Sequence, residues 1–222
     1  MCPTFIRVPL LEFFPANGSS VRRIGIFGGT FDPPHLGHLI LAERCREEAK
    51  LDEVWFLPSY VPPHKADRPL TRFEHRCEMV ALATTGQSAF RVEPVEKELP
   101  PPSYTVETLA ELTRRHPDHE FALIVGGDSL NDLPQWYQPQ RLVSQARLVA
   151  VPRPGSTRVS GDDLAAKLGV PAEAVRLQLV ECPQVEIASR DYRARAKAGR
   201  SIRFLLPRSV EEFVRERKLY LG

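Results

Sequence analysis

Short apolar runs alternate along the chain, from Arg22 onward, with longer stretches whose apolar residues recur at helical spacing. Apolar runs bounded by Gly, Pro or polar residues predict buried strands. Because these strands alternate with helices, the pattern predicts an α/β fold whose sheet is largely parallel. The predicted strands are Arg23–Gly28, Glu53–Pro58, Phe90–Val95, Phe121–Gly126, Arg147–Val151 and Val175–Val180.

Local signals mark three of the helices. Thr71 and Glu74 have the spacing of a capping box ahead of an apolar stripe, and Ser209 and Glu212 repeat that spacing near the C-terminus. A further helix is predicted over Ser103–Arg115, which ends just before a proline. Residues 1–21 lack any such period, so the chain is predicted to consist of a flexible extension (1–21), an α/β core (22–186) and a C-terminal helical segment (187–222).

Composition and charge exclude several classes of protein. The chain of 222 residues has 30 Lys and Arg against 28 Asp and Glu, a net charge of +2, so it lacks the broad basic excess of a general nucleic-acid or membrane binder. No apolar run reaches the roughly 18 residues of a membrane span. The 4 cysteines lie far apart without zinc-site spacing, which favours reduced thiols in a cytoplasmic protein.

The near-neutral net charge conceals one basic segment. Six Lys and Arg residues stand between Arg190 and Arg203, against Asp191 alone. A short basic segment on an otherwise slightly acidic chain predicts a site for a small polyanion. The 21 prolines cluster near the ends of predicted strands. Because ligands of open α/β sheets bind at the carboxyl ends of strands, these prolines are predicted to stiffen the loops of a site.

The strongest chemical signal is the stretch Gly28–His38, with the sequence GGTFDPPHLGH, between the first predicted strand and the first predicted helix. Gly28 and Gly29 let the backbone approach an anion, and the N–H groups of the following helical turn attract it. His35 and His38 stand three residues apart on that turn. The spacing is neither the dinucleotide fingerprint nor a Walker loop, so the stretch predicts a phosphate cradle of another kind.

This stretch resembles the signature of the nucleotidyltransferase superfamily with the (His/Thr)-x-Gly-His motif, and specifically that of bacterial nicotinate-nucleotide adenylyltransferases. The resemblance extends from about Arg22 to Tyr220. It implies a Rossmann-like, doubly wound, mostly parallel sheet with helices on both faces and a small C-terminal helical part that completes the ATP site. The other segments that carry it are Val61–Lys65, Pro102–Thr105, Gly126–Asp128, Trp136-Tyr137, Arg153–Gly155 and Ser201–Pro207.

The family joins ATP to nicotinate mononucleotide, which forms nicotinate adenine dinucleotide and pyrophosphate in NAD biosynthesis, and the resemblance implies this activity with Mg²⁺ accompanying ATP. The attacking phosphate is already an anion, so the reaction needs alignment and charge neutralisation rather than a nucleophilic side chain. His38, His35 and Lys65 are implied to be catalytic. The residues implied to bind ATP are Gly28, Gly29, Thr30, Phe31, His35, Gly37, His38, Ser189, Arg190 and Arg193.

A second group of residues is implied to bind the mononucleotide. Trp136 offers a ring that stacks on a positively charged pyridinium. Tyr104 and Thr105 stand at a helix start, whose N–H groups suit a carboxylate, and Arg153 suits a phosphate. The full group is Lys65, Tyr104, Thr105, Asp128, Trp136, Tyr137 and Arg153.

The stretch 187–193 departs from the Ile-Ser-x-Thr-x-Ile-Arg motif of the family. Ser189 and Arg193 keep their places, but Arg190 replaces the threonine and Tyr192 the isoleucine. A hydroxyl contact at position 190 is therefore lost, and Arg190 either supplies a charged contact or points to solvent.

Two other functions stay open from the sequence. One is adenylyl transfer to another acceptor, such as nicotinamide mononucleotide or pantetheine phosphate, although the Trp136-Tyr137 pair favours a pyridine ring. The other is a nucleotide-binding regulator that has lost turnover, although the intact His35, His38 and Lys65 favour an enzyme. Neither a nucleic acid nor a membrane is expected as a partner, and assembly into a homo-oligomer stays open.

Overall fold

The computed structural model describes residues 21–63, 69–152, 159–183, 185 and 188–221. Six strands in these ranges form one sheet. They are β1 (Arg22–Gly29), β2 (Glu53–Pro58), β3 (Phe90–Val92), β4 (His119–Gly126), β5 (Arg147–Val151) and β6 (Leu177–Leu179).

The sheet is parallel throughout, with the strand order β3-β2-β1-β4-β5-β6. The chain builds outward from β1 to β3 and then crosses back to place β4 on the other side of β1. This is the order of a doubly wound sheet, whose ligand crevice lies at the carboxyl ends of the two strands where the direction reverses. The α/β, Rossmann-like fold is confirmed, and its crevice lies beside Gly29 of β1 and Gly126 of β4.

Helices connect the strands and cover both faces of the sheet. None of the helices in the described ranges is both long enough and apolar enough to cross a membrane. The α-helices are α1 (Leu36–Glu48), α2 (Phe73–Thr84), α3 (Thr105–Arg115), α4 (Gly127–Asp132), α5 (Pro139–Gln145), α6 (Gly161–Leu168), α7 (Ser189–Lys197) and α8 (Arg208–Glu216).

Two hydrophobic cores lie on opposite faces of the sheet because side chains alternate along each strand. In β4, Phe121, Leu123 and Val125 belong to one core, whereas Ala122 and Ile124 belong to the other. Helices α3 to α6 complete the first core, and α1 and α2 complete the second. A strand buried on both faces is apolar along its whole length, which explains why these strands are visible in the sequence.

The C-terminal helices pack on the outside of α2. Met79 of α2 lies in an apolar cluster with Tyr192 of α7 and with Val210 and Phe213 of α8. This packing brings the C-terminal part of the chain against the helix that lies behind the loop after β1. The boundary at residue 187 stays a prediction, and residues 1–20 lie outside the described ranges.

Edge strands and helix starts differ from the predictions. β3 and β6 have three residues each. Val95, predicted to end β3, begins the 3₁₀ turn Val95–Glu98, and Val175, predicted to begin β6, is the C-cap of the 3₁₀ turn Ala172–Ala174. Both capping boxes, at 71–74 and 209–212, were wrong. The N-cap of α2 is Arg72, and Glu74 instead contacts Lys97 at 2.7 Å. In α8, Pro207 is the N-cap, and the Ser209 hydroxyl donates to the carbonyl of Leu82 at 2.9 Å. Tertiary partners thus take the side chains that local spacing assigns to the helix ends.

Candidate active site

The Gly28–His38 stretch follows β1 at the crevice of the sheet. A Cβ atom placed on Gly28 meets no heavy atom within 4 Å, and the same holds for Gly126 at the end of the neighbouring strand β4. On Gly29, a Cβ would lie 3.0 Å from the ring of Phe31. Gly28 and Gly126 therefore border open space that a ligand can fill, whereas Gly29 is small because an aromatic ring packs on it.

Phe31 supports the loop from inside. Its backbone is left-handed, with φ 47°, and its ring is buried. The ring centroid lies 5.5 Å from that of Phe27 and 5.1 Å from that of His38, with edge-on geometry in both pairs. The side chain of Phe31 thus packs behind His38, and the ATP contact predicted for Phe31 stays a prediction.

His35 and His38 lie together at the start of α1, as the sequence predicts. His35 is the N-cap residue, and its backbone N–H donates to Nδ1 of His38 at 3.1 Å. The two rings stack with centroids 3.7 Å apart. Since Nδ1 of His38 accepts a hydrogen bond, a neutral His38 carries its proton on Nε2. His38 is therefore held in the tautomer whose Nε2–H can donate to an anion.

His35 is buried, with only 7% of its surface exposed. Its ring also stacks on Tyr192 of α7, with centroids 5.4 Å apart. Burial lowers the pKa of His35 from 6.5 to about 4, and the negative charge of Asp191 opposes this shift. His35 is consequently neutral near pH 7 in this state. The sequence suggested that both histidines neutralise phosphate charge, but His35 offers hydrogen bonding rather than charge here.

Helix α7 braces the same loop. The Ser189 hydroxyl donates to the carbonyl of Pro33 at 2.9 Å, and Nη1 of Arg193 donates to the carbonyl of Asp32 at 2.6 Å. Both predicted ATP contacts are thus brought to the Gly28–His38 loop. Arg190 is not, because its side chain is 80% exposed and lies 3.7 Å from Asp191. Of the two alternatives for Arg190, this arrangement matches the one that points to solvent.

Asp32 is a buried carboxylate that the site predictions missed. It is 2% exposed, and its Oδ1 accepts a hydrogen bond from the Tyr220 hydroxyl at 2.7 Å. Its Oδ2 accepts from the backbone N–H of Thr71 at 3.3 Å. Burial and the nearby Asp32 charge raise the pKa of Tyr220, so this phenol stays a hydrogen-bond donor. No signal in the sequence links positions 32 and 220, which are 188 residues apart.

Arg76 is the second residue that the predictions missed. It lies on α2, is 1% exposed, and donates from Nη1 to the carbonyl of Thr30 and from Nε to the carbonyl of Thr71, both at 2.9 Å. Burial lowers the pKa of Arg76, and the negative charge of Asp32 opposes the shift. The sequence does hold a signal, because an arginine within the apolar stripe that includes Phe73 and Val80 must be buried with partners.

The residues predicted for the mononucleotide half form a separate aromatic group. Tyr104 is the N-cap of α3 and stacks on Tyr137, with ring centroids 4.2 Å apart and Thr105 next in the chain. Trp136 is half-buried and packs on the first core. Tyr137, by contrast, is 47% exposed. The exposed aromatic surface therefore comes from Tyr137, whereas Trp136 was expected to offer the main stacking face.

Hydrogen bonds connect this aromatic group to the phosphate loop. The backbone N–H of Ser59 donates to the carbonyl of Gly29 at 2.8 Å, and that of Val61 donates to the hydroxyl of Ser103 at 3.0 Å. Between them, the N–H of Tyr60 donates to the buried carboxylate of Glu96 at 3.0 Å, where burial raises the pKa of Glu96. The loops after β1 and β2 and the start of α3 are thus fixed to one another.

A cavity of about 490 Å³ opens between α3 and the proline loop before it. Its lining includes two members of the aromatic group but neither histidine, so it does not by itself join the two predicted halves. Its lining residues are Leu99, Pro100, Pro101, Pro102, Ser103, Tyr104, Glu107, Thr108, Ala110, Glu111, Arg114 and Tyr137.

Three further predicted residues have different outcomes. Asp128 is exposed in the first turn of α4, two residues after the open position Gly126. Lys65 and Arg153 lie outside the described residues. Within the described ranges, no group of three or more His, Cys, Asp or Glu side chains is placed to hold a metal ion.

Comparison with known proteins agrees with this geometry. The cytidylyltransferase-like family model matches residues 26–195, from β1 to α7. A relative from Thermomicrobium roseum, named "probable nicotinate-nucleotide adenylyltransferase", is 44% identical over 200 residues, which are 90% of this chain and 92% of that protein. This chain belongs to the nicotinate-nucleotide adenylyltransferase family. A relative of the same name from Geobacillus thermodenitrificans is 40% identical over 198 residues, 89% of this chain and 86% of that protein.

A solved structure supports the fold of this family member. The Plasmodium falciparum nicotinic acid mononucleotide adenylyltransferase, complexed with NaAD, superimposes with a TM-score of 0.72 at 20% identity. The match covers 90% of this chain and 97% of that one. At this identity the likeness shows the shared fold, and the roles of individual residues in this nicotinate-nucleotide adenylyltransferase family member rest on its own geometry.

Proposed function

We propose that this protein transfers the adenylyl group of ATP to nicotinate mononucleotide and releases pyrophosphate. The observation that carries the proposal is the stacked histidine pair at the N-terminus of α1, beside the open position Gly28 at the crevice of the sheet. A helix N-terminus with free space beside a glycine suits a bound phosphate. Family membership favours adenylyl transfer among the reactions that a phosphate site can serve.

The reaction needs no nucleophilic side chain. An oxygen of the mononucleotide phosphate attacks the α-phosphorus of ATP, the new P–O bond forms, and the bond to the β-phosphate oxygen breaks, so pyrophosphate leaves with that electron pair. Negative charge grows on the bridging and terminal oxygens in the transition state. Groups that donate hydrogen bonds to those oxygens lower the barrier more than they strengthen substrate binding.

His38 is the proposed catalytic donor. Its Nδ1 accepts from the backbone of His35, which leaves the proton on Nε2 for a phosphate oxygen. Its ring is held between His35 on one side and Phe31 on another, so little rotation is needed on binding. His35 contributes as a neutral imidazole and as the support of His38. Lys65 is proposed to add a positive charge from the loop after β2.

The nucleotide contacts are proposed to come from both ends of the chain. The backbone of Gly28–Phe31 and the first turn of α1, with Gly37, surround the triphosphate. Ser189 and Arg193 brace that loop, and the remaining donors of the Arg193 guanidinium are available to a phosphate. ATP enters as its Mg²⁺ complex, so the metal belongs to the substrate.

The acceptor half is proposed to lie between α3 and α4. Tyr104 and Thr105 at the start of α3 receive the nicotinate carboxylate, and the rings of Trp136 and Tyr137 receive the pyridinium. Asp128 binds ribose and Arg153 binds the phosphate of the mononucleotide. Because ATP and the mononucleotide are metabolites of the cytoplasm, we expect the enzyme to work there.

The test is a paired acceptor assay. Purified protein, ATP and Mg²⁺ are incubated with nicotinate mononucleotide, nicotinamide mononucleotide or pantetheine phosphate, and pyrophosphate and the dinucleotide are quantified. We expect the highest kcat/KM with nicotinate mononucleotide. A higher value with another acceptor transfers the proposal to that acceptor, and ATP binding without pyrophosphate release supports a regulator instead.

A further inference from the structure

The turn Thr30–Asp32 of the phosphate loop is held from behind by side chains that belong to distant elements. Arg76 of α2 binds the carbonyl of Thr30, and Tyr220 near the C-terminus binds the carboxylate of Asp32. Neither is among the residues assigned to ATP or to the mononucleotide. Arg76 is buried, and Tyr220 is partly buried against the apolar cluster around Met79 of α2. Both therefore contact the loop from the side of α2.

The contacts of Arg76 close a ring of hydrogen bonds. Its Nη1 reaches Thr30, its Nε reaches the carbonyl of Thr71, and the N–H of Thr71 returns to Oδ2 of Asp32. Thr30 and Asp32 are two residues apart, so the ring fixes this turn to the segment before α2. Tyr220 then occupies the other carboxylate oxygen of Asp32, at 2.7 Å.

Burying the guanidinium of Arg76 between α2 and the phosphate loop costs desolvation free energy. Removing a guanidinium from water is unfavourable, and apolar side chains of similar volume often replace buried ionic groups without loss of stability. What only arginine supplies is a rigid planar fork that holds two carbonyls at a fixed separation. The placement of Arg76 therefore serves the geometry of the loop more than the stability of the core.

We propose that Arg76 and Tyr220 are positioning residues for adenylyl transfer, which hold the turn Thr30–Asp32 so that His35 and His38 meet the bound phosphates in reactive alignment. This inference rests on the proposed function of the Gly28–His38 loop. Pro33 and Pro34 connect the held turn directly to His35, so a displacement of Asp32 is transmitted to the start of α1. A displacement of about 1 Å at reacting groups lowers the rate by about 100-fold.

The experiment compares Arg76→Lys, Arg76→Met and Tyr220→Phe with the wild-type enzyme. Lysine keeps the charge but cannot bind both carbonyls as a fork, and phenylalanine removes a single oxygen. For Arg76→Lys we expect kcat to fall by about 10 to 100-fold, with KM for the acceptor unchanged, and for Arg76→Met a larger fall. For Tyr220→Phe we expect a fall of about 5 to 10-fold. The matched control is Leu168→Ala, a buried truncation on α6 that lowers thermal stability and leaves kcat unchanged.

Outcomes separate positioning from a merely structural role. If Arg76→Lys and Tyr220→Phe turn over at the wild-type rate, or if Leu168→Ala loses as much kcat at equal thermal stability, the proposal is overturned. Should Arg76→Met fail to fold, the other two variants decide whether the proposal stands.

If the wild-type protein forms no dinucleotide with any acceptor, the proposed function fails. The positioning role is then tested by two other measurements, ATP affinity by calorimetry and amide hydrogen exchange at residues 30–32. Weaker affinity and faster exchange in Tyr220→Phe than in Leu168→Ala support positioning, and unchanged values refute it.

Discussion

Replacing His35 by Gln removes a buried imidazole whose protonation the fold opposes. Burial lowers the pKa of His35 from 6.5 to about 4. Between those pH values the unfolded chain binds a proton at this position and the native protein does not. The contribution of His35 to stability is therefore complete above pH 6.5 and is lost as the pH falls toward 4. The difference between the two pKa values corresponds to about 3 kcal/mol of unfolding free energy.

The assay is urea unfolding followed by circular dichroism, at several values between about pH 7.5 and about pH 4.5. Across this range we expect the wild-type protein to lose about 2.5 kcal/mol more stability than His35→Gln. Carboxylates titrate in both proteins, so the difference isolates His35. Leu168→Ala, which changes no titrating group, should run parallel to the wild type. If His35→Gln also runs parallel to the wild type, the burial argument for a neutral His35 is wrong.

Four further substitutions test the site and the core beneath it. Gly28→Ala should leave the unfolding free energy unchanged, because the added Cβ would meet no heavy atom within 4 Å, yet raise KM for ATP at least about 10-fold by filling the phosphate space. Gly25→Ala should show the reverse, a fall in unfolding free energy of about 1 to 3 kcal/mol with KM for ATP unchanged, because its Cβ would lie 2.7 Å from a core methyl group. Calorimetry measures the stability of both glycine variants, and steady-state kinetics measures their KM. His38→Ala should lower kcat by about 100-fold or more with little change in ATP affinity, measured by steady-state kinetics and calorimetry, and normal turnover would remove His38 from catalysis. Trp136→Ala should weaken mononucleotide binding with ATP affinity little changed. If calorimetric titration shows weaker ATP binding and unchanged mononucleotide binding instead, the two halves of the site are assigned the wrong way round.

The strands of the central sheet could be predicted because their side chains are buried on both faces. Phe121–Gly126 is apolar throughout, and no polar position interrupts it. The edge strands β3 and β6 were predicted too long because the apolar pattern alone does not show where each strand ends. Pro94 has no backbone N–H for a strand hydrogen bond, and Val95 and Val175 belong to the start and the C-cap of 3₁₀ turns. The capping boxes failed because other side-chain partners compete with the helix end. Ser209 and Glu74 have partners from other elements that compete successfully with the helix end.

In the candidate site, too, contacts between neighbours in the chain could be predicted, whereas contacts with distant elements could not. Its phosphate loop is one contiguous stretch, so the bonds between neighbours, such as His35 to His38, follow from three-residue spacing. Arg76 and Tyr220 meet that loop from 46 and 188 residues away. The apolar stripe of α2 indicates that Arg76 is buried, but no local pattern identifies the loop as the partner of either residue. The protonation state of His35 also escapes the sequence, because it depends on burial under Tyr192 of α7.

By itself, the sequence determined the α/β class, the phosphate loop after β1 and the family, because each of these depends on contiguous residues. The tertiary structure alone decided which buried charges hold that loop, that His35 is neutral, and that Arg190 lies away from it. The physical reason is that solvation and hydrogen-bond partners are properties of the folded surroundings. A side chain acquires its charge state and its orientation only when distant elements have removed water from it.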